Sequence, residues 1–317
     1  MLMEQYIKSL ALNYGFSACG IASLTDTNPV AEKLRRWLDV GFNANMQYMK
    51  ENMELRLNPS LLLDGAKSAI VVLLNYFPRQ DIIQKKYRIA SYAFGMDYHY
   101  VVRSKLQSMA QDISEKYGIA NNSFAPFADS APLFDRYWAW KAGLGWIGKS
   151  GMLVNPDIGS FTFIGVMLTT LSLKSDTPLT NRCGNCNACV KACPTGAISA
   201  DKQGLLNANK CLSYLTIECR DELPDEFVPQ ADNILFGCEK CLSACPWNKF
   251  ATPHNVPELM PIAGIFDIDW CSVTNSIFRK ELKYSAMKRA GVRKLRNRAL
   301  QINSLIPNGI SSDDTLQ

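Results

Sequence analysis

The sequence predicts an α/β (α+β) N-terminal domain, a small cysteine-rich module after it, and a short helical C-terminus, divided at residues 1–175, 176–250 and 251–317. Three observations predict this arrangement. Amphipathic stretches of helical period alternate with short apolar runs before residue 175, the pattern of a layered mixed fold. Nine of the eleven cysteines fall between Cys183 and Cys245. From Ser272 onward the chain is helical in pattern and basic. A length of 317 residues accommodates about two domains of 100–200 residues, and a hydrophobic fraction of 47% is ordinary for a globular chain.

The first helix spans Glu4 to Tyr14, with Ile7, Leu10, Ala11 and Tyr14 on one face and Gly15 as its stop. Ser17–Leu24 is a short apolar strand, in which Cys19 is a small buried hydrophobe. Pro29 opens a helix that carries Leu34, Trp37 and Leu38 and ends near Gly41. Ala69–Phe77 is an unbroken apolar run, expected as a strand covered on both faces. Tyr98–Tyr117 is a long helix with Leu106, Met109, Ala110 and Ile113 inward and Gly118 at its end. Ser123–Ala128 is a strand leading to Asp129, and a helix follows Asp135-Arg136. Gly143, Gly145 and Gly148 mark a loop with special backbone angles or a close approach; it matches neither the dinucleotide fingerprint nor the phosphate loop. Residues 151–154 and 159–173 are expected to pair around a turn at Asn155-Pro156-Asp157. A proline-bearing connector covers 251–264, and residues 311–317 are expected to fray.

The cysteines carry the strongest signal. Cys183, Cys186, Cys189 and Cys193-Pro194 have the spacing C-x2-C-x2-C-x3-C-P, which belongs to [4Fe–4S] ferredoxins. In that pattern the cysteine before proline crosses to a second cluster. Cys238, Cys241 and Cys245-Pro246 form a second block, one cysteine short. The crossing rule assigns Cys183, Cys186, Cys189 and Cys245 to cluster one. It gives cluster two Cys193, Cys238 and Cys241, with Cys211 or Cys219 as the fourth ligand. The alternatives fit less well: tetrahedral zinc uses pairs of C-x2-C, and disulfides need an oxidising compartment. Met1–Leu24 has no signal-peptide pattern and no twin arginine, so the sequence predicts a cytoplasmic chain with no membrane span.

Net charge is only +5, yet nine Lys/Arg and one acid lie between Arg279 and Arg298. That excess suits either a phosphate-binding surface or a solvated helical face. Asp129, after an apolar strand and near arginine, suits proton transfer or a helix N-cap, and Asp135 with Arg136 suits a surface pair. Two histidines, His99 and His254, leave no basis for a multi-histidine metal site. Asp97-Tyr98-His99-Tyr100-Val101-Val102 fails the D-x-H-x-x-G pattern of cobalamin carriers at its last position, so His99 is expected to cap or hydrogen-bond.

Taken together, several segments resemble the epoxyqueuosine reductases, iron–sulfur and cobalamin enzymes of tRNA queuosine synthesis. They are Asp97-Tyr98-His99, Asp129-Ser130-Ala131-Pro132, Ala142–Lys149, the two cysteine blocks, Lys210–Glu218, Ser285–Arg289 and Leu295-Arg296-Asn297. The resemblance runs from the N-terminus to residue 304. It implies an N-terminal domain that binds cobalamin base-off and a ferredoxin-like module with two [4Fe–4S] clusters. It also implies Cys211 as the missing ligand, Asp129 as proton donor with a raised pKa, and Tyr98 and Arg136 in the substrate pocket. Arg56, Asp129, Leu153, Ile164, Met167, Ser213 and Glu239 are the implied cobalamin contacts. Arg293, Lys294 and Arg296 are the candidate tRNA-binding cations. The partners implied are tRNA carrying epoxyqueuosine and an external one-electron donor of flavodoxin or ferredoxin type, with the chain a monomer. Some family members carry C-terminal helical repeats that grip tRNA. The sequence as it stands ends before such repeats, so the basic segment is expected to bear more of the contact. Two other readings are a two-cluster electron carrier, which leaves the first 175 residues unexplained, and a dehalogenase-like corrinoid reductase of small molecules, which leaves the basic segment unexplained.

Overall fold

The structure, a computed structural model, describes residues 2–24, 28–199 and 205–305, so the expected fraying of 311–317 lies outside the described residues. Its centre is a four-stranded sheet of β1 (Ala18–Ser23), β2 (Ser68–Asn75), β3 (Phe124–Phe127) and β4 (Thr162–Thr169), in the order β1-β2-β4-β3. Every pair is antiparallel, which is the α+β form of the expected mixed fold. All eight residues of β2 are buried, as its apolar run requires. Ile70, Val72 and Leu74 face one core, and Ala69, Val71 and Leu73 face the other. Burying each of the larger of these side chains contributes about 1.5–3 kcal/mol.

Helices α1 (Met3–Asn13) and α3 (Tyr98–Tyr117) cover the first face. Helix α2 (Asn28–Asp39) follows β1, and α4 (Asp135–Lys141) packs on the opposite face through Tyr137, Trp138 and Ala139. Asp97 caps α3 by accepting from the His99 backbone N–H at 3.1 Å, and Gly118 closes it in the left-handed conformation at φ 64°. The expected pairing of 151–154 with 159–173 is corrected. Leu153–Val154 pairs with Trp146–Ile147, while Thr162–Thr169 lies between β2 and β3 as a central strand.

Gly165 of β4 sets how closely α3 seats on the sheet. A Cβ there would lie 2.7 Å from Val102 Cγ1 and 2.9 Å from Leu106 Cδ1, both on α3. Gly165→Ala should therefore cost about 1–3 kcal/mol through overpacking, read as a lowered midpoint of denaturant unfolding. An unchanged midpoint would mean that α3 rides freely on the strand.

The three sequence segments interlock. Arg88–Ile89 pairs in parallel with Ile234–Phe236, and both join a second core with Trp270, Leu282, Leu295 and Ile302. That core seats α6 (Asn275–Glu281) and α7 (Gly291–Leu305). Around α5 (Leu212–Ile217), a third core takes in Trp37 and Met46 from the N-terminal region. Trp37 Nε1 donates to the Leu206 carbonyl at 2.6 Å.

Candidate active site

The start of α3 and the end of β3 meet at one carboxylate. Asp97 Oδ1 lies 2.6 Å from His99 Nδ1, so one side chain both caps the helix and fixes the imidazole. Tyr98 stacks on Phe163 of β4 with ring centroids 4.2 Å apart and on His99 at 4.1 Å. The Tyr98 hydroxyl donates to Asp129 Oδ2, and His99 Nε2 lies 3.4 Å from the same oxygen. Asp129 adopts φ 55°, a left-handed conformation that costs a non-glycine residue about 1–3 kcal/mol. Its alternative role as a helix cap is ruled out, because α4 begins after Phe134.

The electrostatics overturn the expected raised pKa of Asp129. Desolvation pushes its carboxyl up. Hydrogen bonds from His99 and Tyr98, with the charges of His99 and Arg136, prevail and hold it at about 2. Desolvation likewise opposes charge on His99, but its bonds to Asp129 and Asp97 push it up to about 9. With both ring nitrogens facing carboxylates, the stored proton sits on His99. Sequence reasoning gave His99 only a bonding role; the Asp97-x-His99 spacing at a helix start was the signal.

Charged groups ring this pair. Arg136 is exposed and donates to the Gly151 carbonyl at 3.0 Å, so it is not the partner of Asp135 that the sequence suggested. Burial first, and then the charge of Asp129, pushes Asp135 up to about 7. Arg56 is buried and donates to the Leu133 carbonyl at 3.2 Å, while its Nε has no partner. Arg289 grips Glu218 with two bonds, at 2.9 and 2.7 Å, and also feels the charge of Asp129. The Asp129 side chain is nonetheless 61% exposed, so its carboxylate can be reached from outside.

The expected cobalamin contacts divide. Met167 is fully enclosed, in the core beneath α3, and Leu153 is 2% exposed, so both side chains pack within the fold. Ile164, three residues before Met167, points to the opposite face of the sheet and is half-buried. Ser213 is half-buried, two residues after Cys211. Glu239 accepts from the Ser91 backbone N–H at 2.8 Å and its hydroxyl at 2.7 Å, and burial pushes its carboxyl up. Burial pushes the Tyr92 hydroxyl up, and the charges of Asp129 and Glu239 add to that rise.

The thiols fall into two neighbourhoods. Burial is the leading cause of every raised thiol pKa here, and the neighbouring thiols add to it. Cys189 is raised further by Cys183 and Cys186, and Cys245 by Cys183, Cys189 and Cys186. Cys193 adds to the rise of Cys211, and Cys211 and Cys193 add to that of Cys238, at about 11. Cys241, at about 12, feels Cys238, Cys211 and Cys193, and then Cys189. Cys219 is buried among Leu212, Leu215 and Leu223. Among the described residues no three His, Cys, Asp or Glu converge closely enough for a single ion. Four thiols on four separate irons ask for a wider spacing, so the donor set and its grouping fit two cubanes.

Part of the basic segment is structural. Lys294 Nζ donates to the carbonyls of Cys219 and Asp221 at 2.5 and 3.0 Å. Arg296 donates twice to the Val273 carbonyl, and Arg298 donates to those of Ile234 and Asp232. Of the three candidate cations, Arg293 is exposed, while Lys294 and Arg296 are half-buried and brace α7. Arg279, Lys280, Lys283 and Lys288 supply the remaining exposed charge beside Arg289.

The chain matches a family model described as epoxyqueuosine reductase QueG, DUF1730, over residues 56–130, and one described as a 4Fe-4S double cluster binding domain over residues 182–248. It is 42% identical to an epoxyqueuosine reductase of Leadbetterella byssophila, over 89% of this chain and 92% of that protein. An epoxyqueuosine reductase of Escherichia coli is 35% identical, over 95% of this chain and 81% of that protein. A solved epoxyqueuosine reductase, in complex with an epoxyqueuosine-modified tRNA-Tyr stem loop, superposes with a TM-score of 0.85 at 27% identity, covering 95% of this chain and 80% of that one. Another, from Bacillus subtilis, with a catalytic aspartate loop swung out of the active site, superposes at 0.84 and 27%, covering 95% and 82%.

Proposed function

The chain belongs to the epoxyqueuosine reductase family, and we propose that it reduces epoxyqueuosine to queuosine in tRNA with Asp129 as the proton-transfer group of a cobalamin-dependent site. A double [4Fe–4S] domain and a mixed α/β fold go with that activity. The observation that carries the proposal is the single exposed carboxylate held by Tyr98 and His99. No helix among the described residues is long and apolar enough to cross a membrane. A tRNA substrate accords with a cytoplasmic location, and one chain, acting as a monomer, holds all the groups named here.

Net conversion of the epoxide to an alkene consumes two electrons and two protons and releases water. Bound cobalamin would supply the strongly reducing centre, and the clusters would supply it with single electrons from an external donor of flavodoxin or ferredoxin type. Arg56, whose buried Nε lacks a partner, is suited to an acceptor group on such a cofactor. The Ser213 hydroxyl and the half-buried Glu239 suit its polar rim, and Ile164 its apolar edge. The cluster ligands are Cys183, Cys186, Cys189 and Cys245 for one, and Cys193, Cys211, Cys238 and Cys241 for the other. Residues 1–175 thus carry the cofactor, 176–250 the clusters, and 251–317 the basic helical wall.

His99 holds a proton at neutral pH, and the exposed Asp129 carboxylate lies next to it. Asp129 can thus pass that proton to the oxygen leaving the substrate, while Tyr98 orients the carboxylate and Arg136 faces it as a cation. Exposed Arg293 and Arg289 flank the approach and suit tRNA phosphates. The direct test is conversion of an epoxyqueuosine-bearing anticodon stem loop by cofactor-loaded protein under chemical reduction, read by mass as loss of one oxygen. Eight irons, bound cobalamin and no conversion would defeat the reading.

The proton store sets a pH dependence. The ordinary histidine value is 6.5 and His99 stands at about 9, so its contribution to stability is complete below 6.5 and is lost as pH rises through about 9. That of Asp129 is present above its ordinary 3.8 and is lost as pH falls through about 2. The single-turnover rate should fall as pH rises through about 9, and His99→Gln should remove that limb. A limb that survives in the variant would place the proton elsewhere.

A further inference from the structure

We infer that the face over the first thiol set, built around Arg182, Lys191, Lys149 and Lys249, is the docking surface for a small acidic one-electron carrier protein. The inference rests on the two-cluster reading above and assigns the side from which electrons enter.

Three chain segments close around these thiols. Lys149 Nζ meets Asn187 Oδ1 at 3.0 Å, and Asn181 Nδ2 meets the Ile147 carbonyl at 3.0 Å. A Cβ on Gly148 would lie 3.6 Å from Cys183 Sγ. Trp146 packs edge-on against Trp247 at 4.9 Å, with the Arg182 guanidinium 5.9 Å from the Trp146 centroid. Segments 141–156, 177–199 and 240–257 therefore form one face. Together they contain six cations and not one Asp or Glu, against a net charge of +5 for the whole chain. The bordering acids are Asp157, in the turn beside Asn248; Asp176, taken up by Lys8 at 2.5 Å and the Ile21 N–H; Glu239, turned to Ser91; and Glu258, 3.8 Å from Lys105.

The two thiol sets differ in access. Cys186, of the first set, is the exposed member of the eight, and Arg182 and Lys191 beside it are exposed. The second set faces inward: Cys241 packs against the core under the sheet, and Cys211 and Cys238 pack against the core around α5. Electrons arriving from solvent thus reach the first set first. A surface that brings a redox protein close and releases it again is served by a positive field with a small apolar patch, and Phe250, half exposed under Lys249, supplies the patch. An RNA would gain from the same charge. It has no use for an exposed cluster ligand, however, and its modified base must reach Asp129.

The experiment uses cluster-loaded protein with flavodoxin as the probe, comparing the unaltered chain with the Arg182→Glu/Lys191→Glu double variant. Iron content and dithionite-driven turnover should be unchanged. Affinity for flavodoxin should fall by about tenfold or more, the unaltered chain should bind it less well in high salt, and flavodoxin-driven cluster reduction should slow in parallel. Binding of the tRNA stem loop should not change. Unaltered flavodoxin affinity overturns the proposal, and so does a loss confined to tRNA binding, which would make this face part of the RNA site. Failure of the unaltered chain to convert substrate with dithionite would instead count against the proposed reaction and leave the flavodoxin result to be read separately.

Discussion

Asp129→Asn should lower the single-turnover rate by about 10²–10⁴-fold while leaving iron content and tRNA affinity unchanged. Asparagine keeps the size of the side chain and can still accept from Tyr98, so the loop has no steric reason to move. What it loses is the negative charge that faces His99. That charge and its hydrogen bond help push His99 up to about 9 against desolvation. Without them the imidazole falls back toward its ordinary range, and the stored proton is lost at neutral pH along with the group that delivers it. The second readout is a titration of the histidine ring protons. The chain has two histidines, and burial lowers His254, so His99 is the one that titrates on the alkaline side. A variant with near-normal turnover, or one in which His99 still titrates near 9, would remove Asp129 from the proton path.

Much of this site is legible along the chain, wherever the controlling interaction is local. The helical period from Tyr98 to Tyr117, ended by Gly118, gives α3 to the residue, because an amphipathic face and a left-handed stop are both written locally. The two cysteine blocks are legible because each is a short local pattern, whereas the crossing of Cys193 and Cys245 joins thiols far apart in the chain. What fails is what depends on a distant partner. The low pKa of Asp129 comes from Tyr98 and His99, about thirty residues earlier, which prevail over desolvation, whereas the proton-donor role that the resemblance implies asks for a raised one. Lys294 and Arg296 look like surface charge in a basic run. Their partners are backbone carbonyls of residues 219, 221 and 273, which no pattern in the run reveals. Met167 and Ile164 are both implied by the resemblance, and their odd separation on a strand sends them to opposite faces.

Cys211→Ser should halve the bound iron, from about eight to about four atoms per chain, whereas Cys219→Ser should leave it unchanged. Only eight residues separate these cysteines, and the first reading of the spacing could not choose between them. Their surroundings differ. Cys211 stands at the start of α5, where the backbone N–H groups of Tyr214 and Ser213 lower its pKa against a larger rise from burial, and it feels the Cys193 thiol. N–H groups aimed at sulfur favour the thiolate, which is the form that binds iron. Cys219 lies at the far end of that helix, buried among leucines, with its carbonyl held by Lys294. Serine at 219 would keep a polar partner in the Tyr214 hydroxyl, without touching a cluster. Iron analysis with the visible spectrum of anaerobically purified protein separates the cases. Loss of iron from the Cys219 variant alone would exchange the two assignments. Loss from both would mean that the second site needs the whole of α5 in place and that spacing around one thiol does not define it.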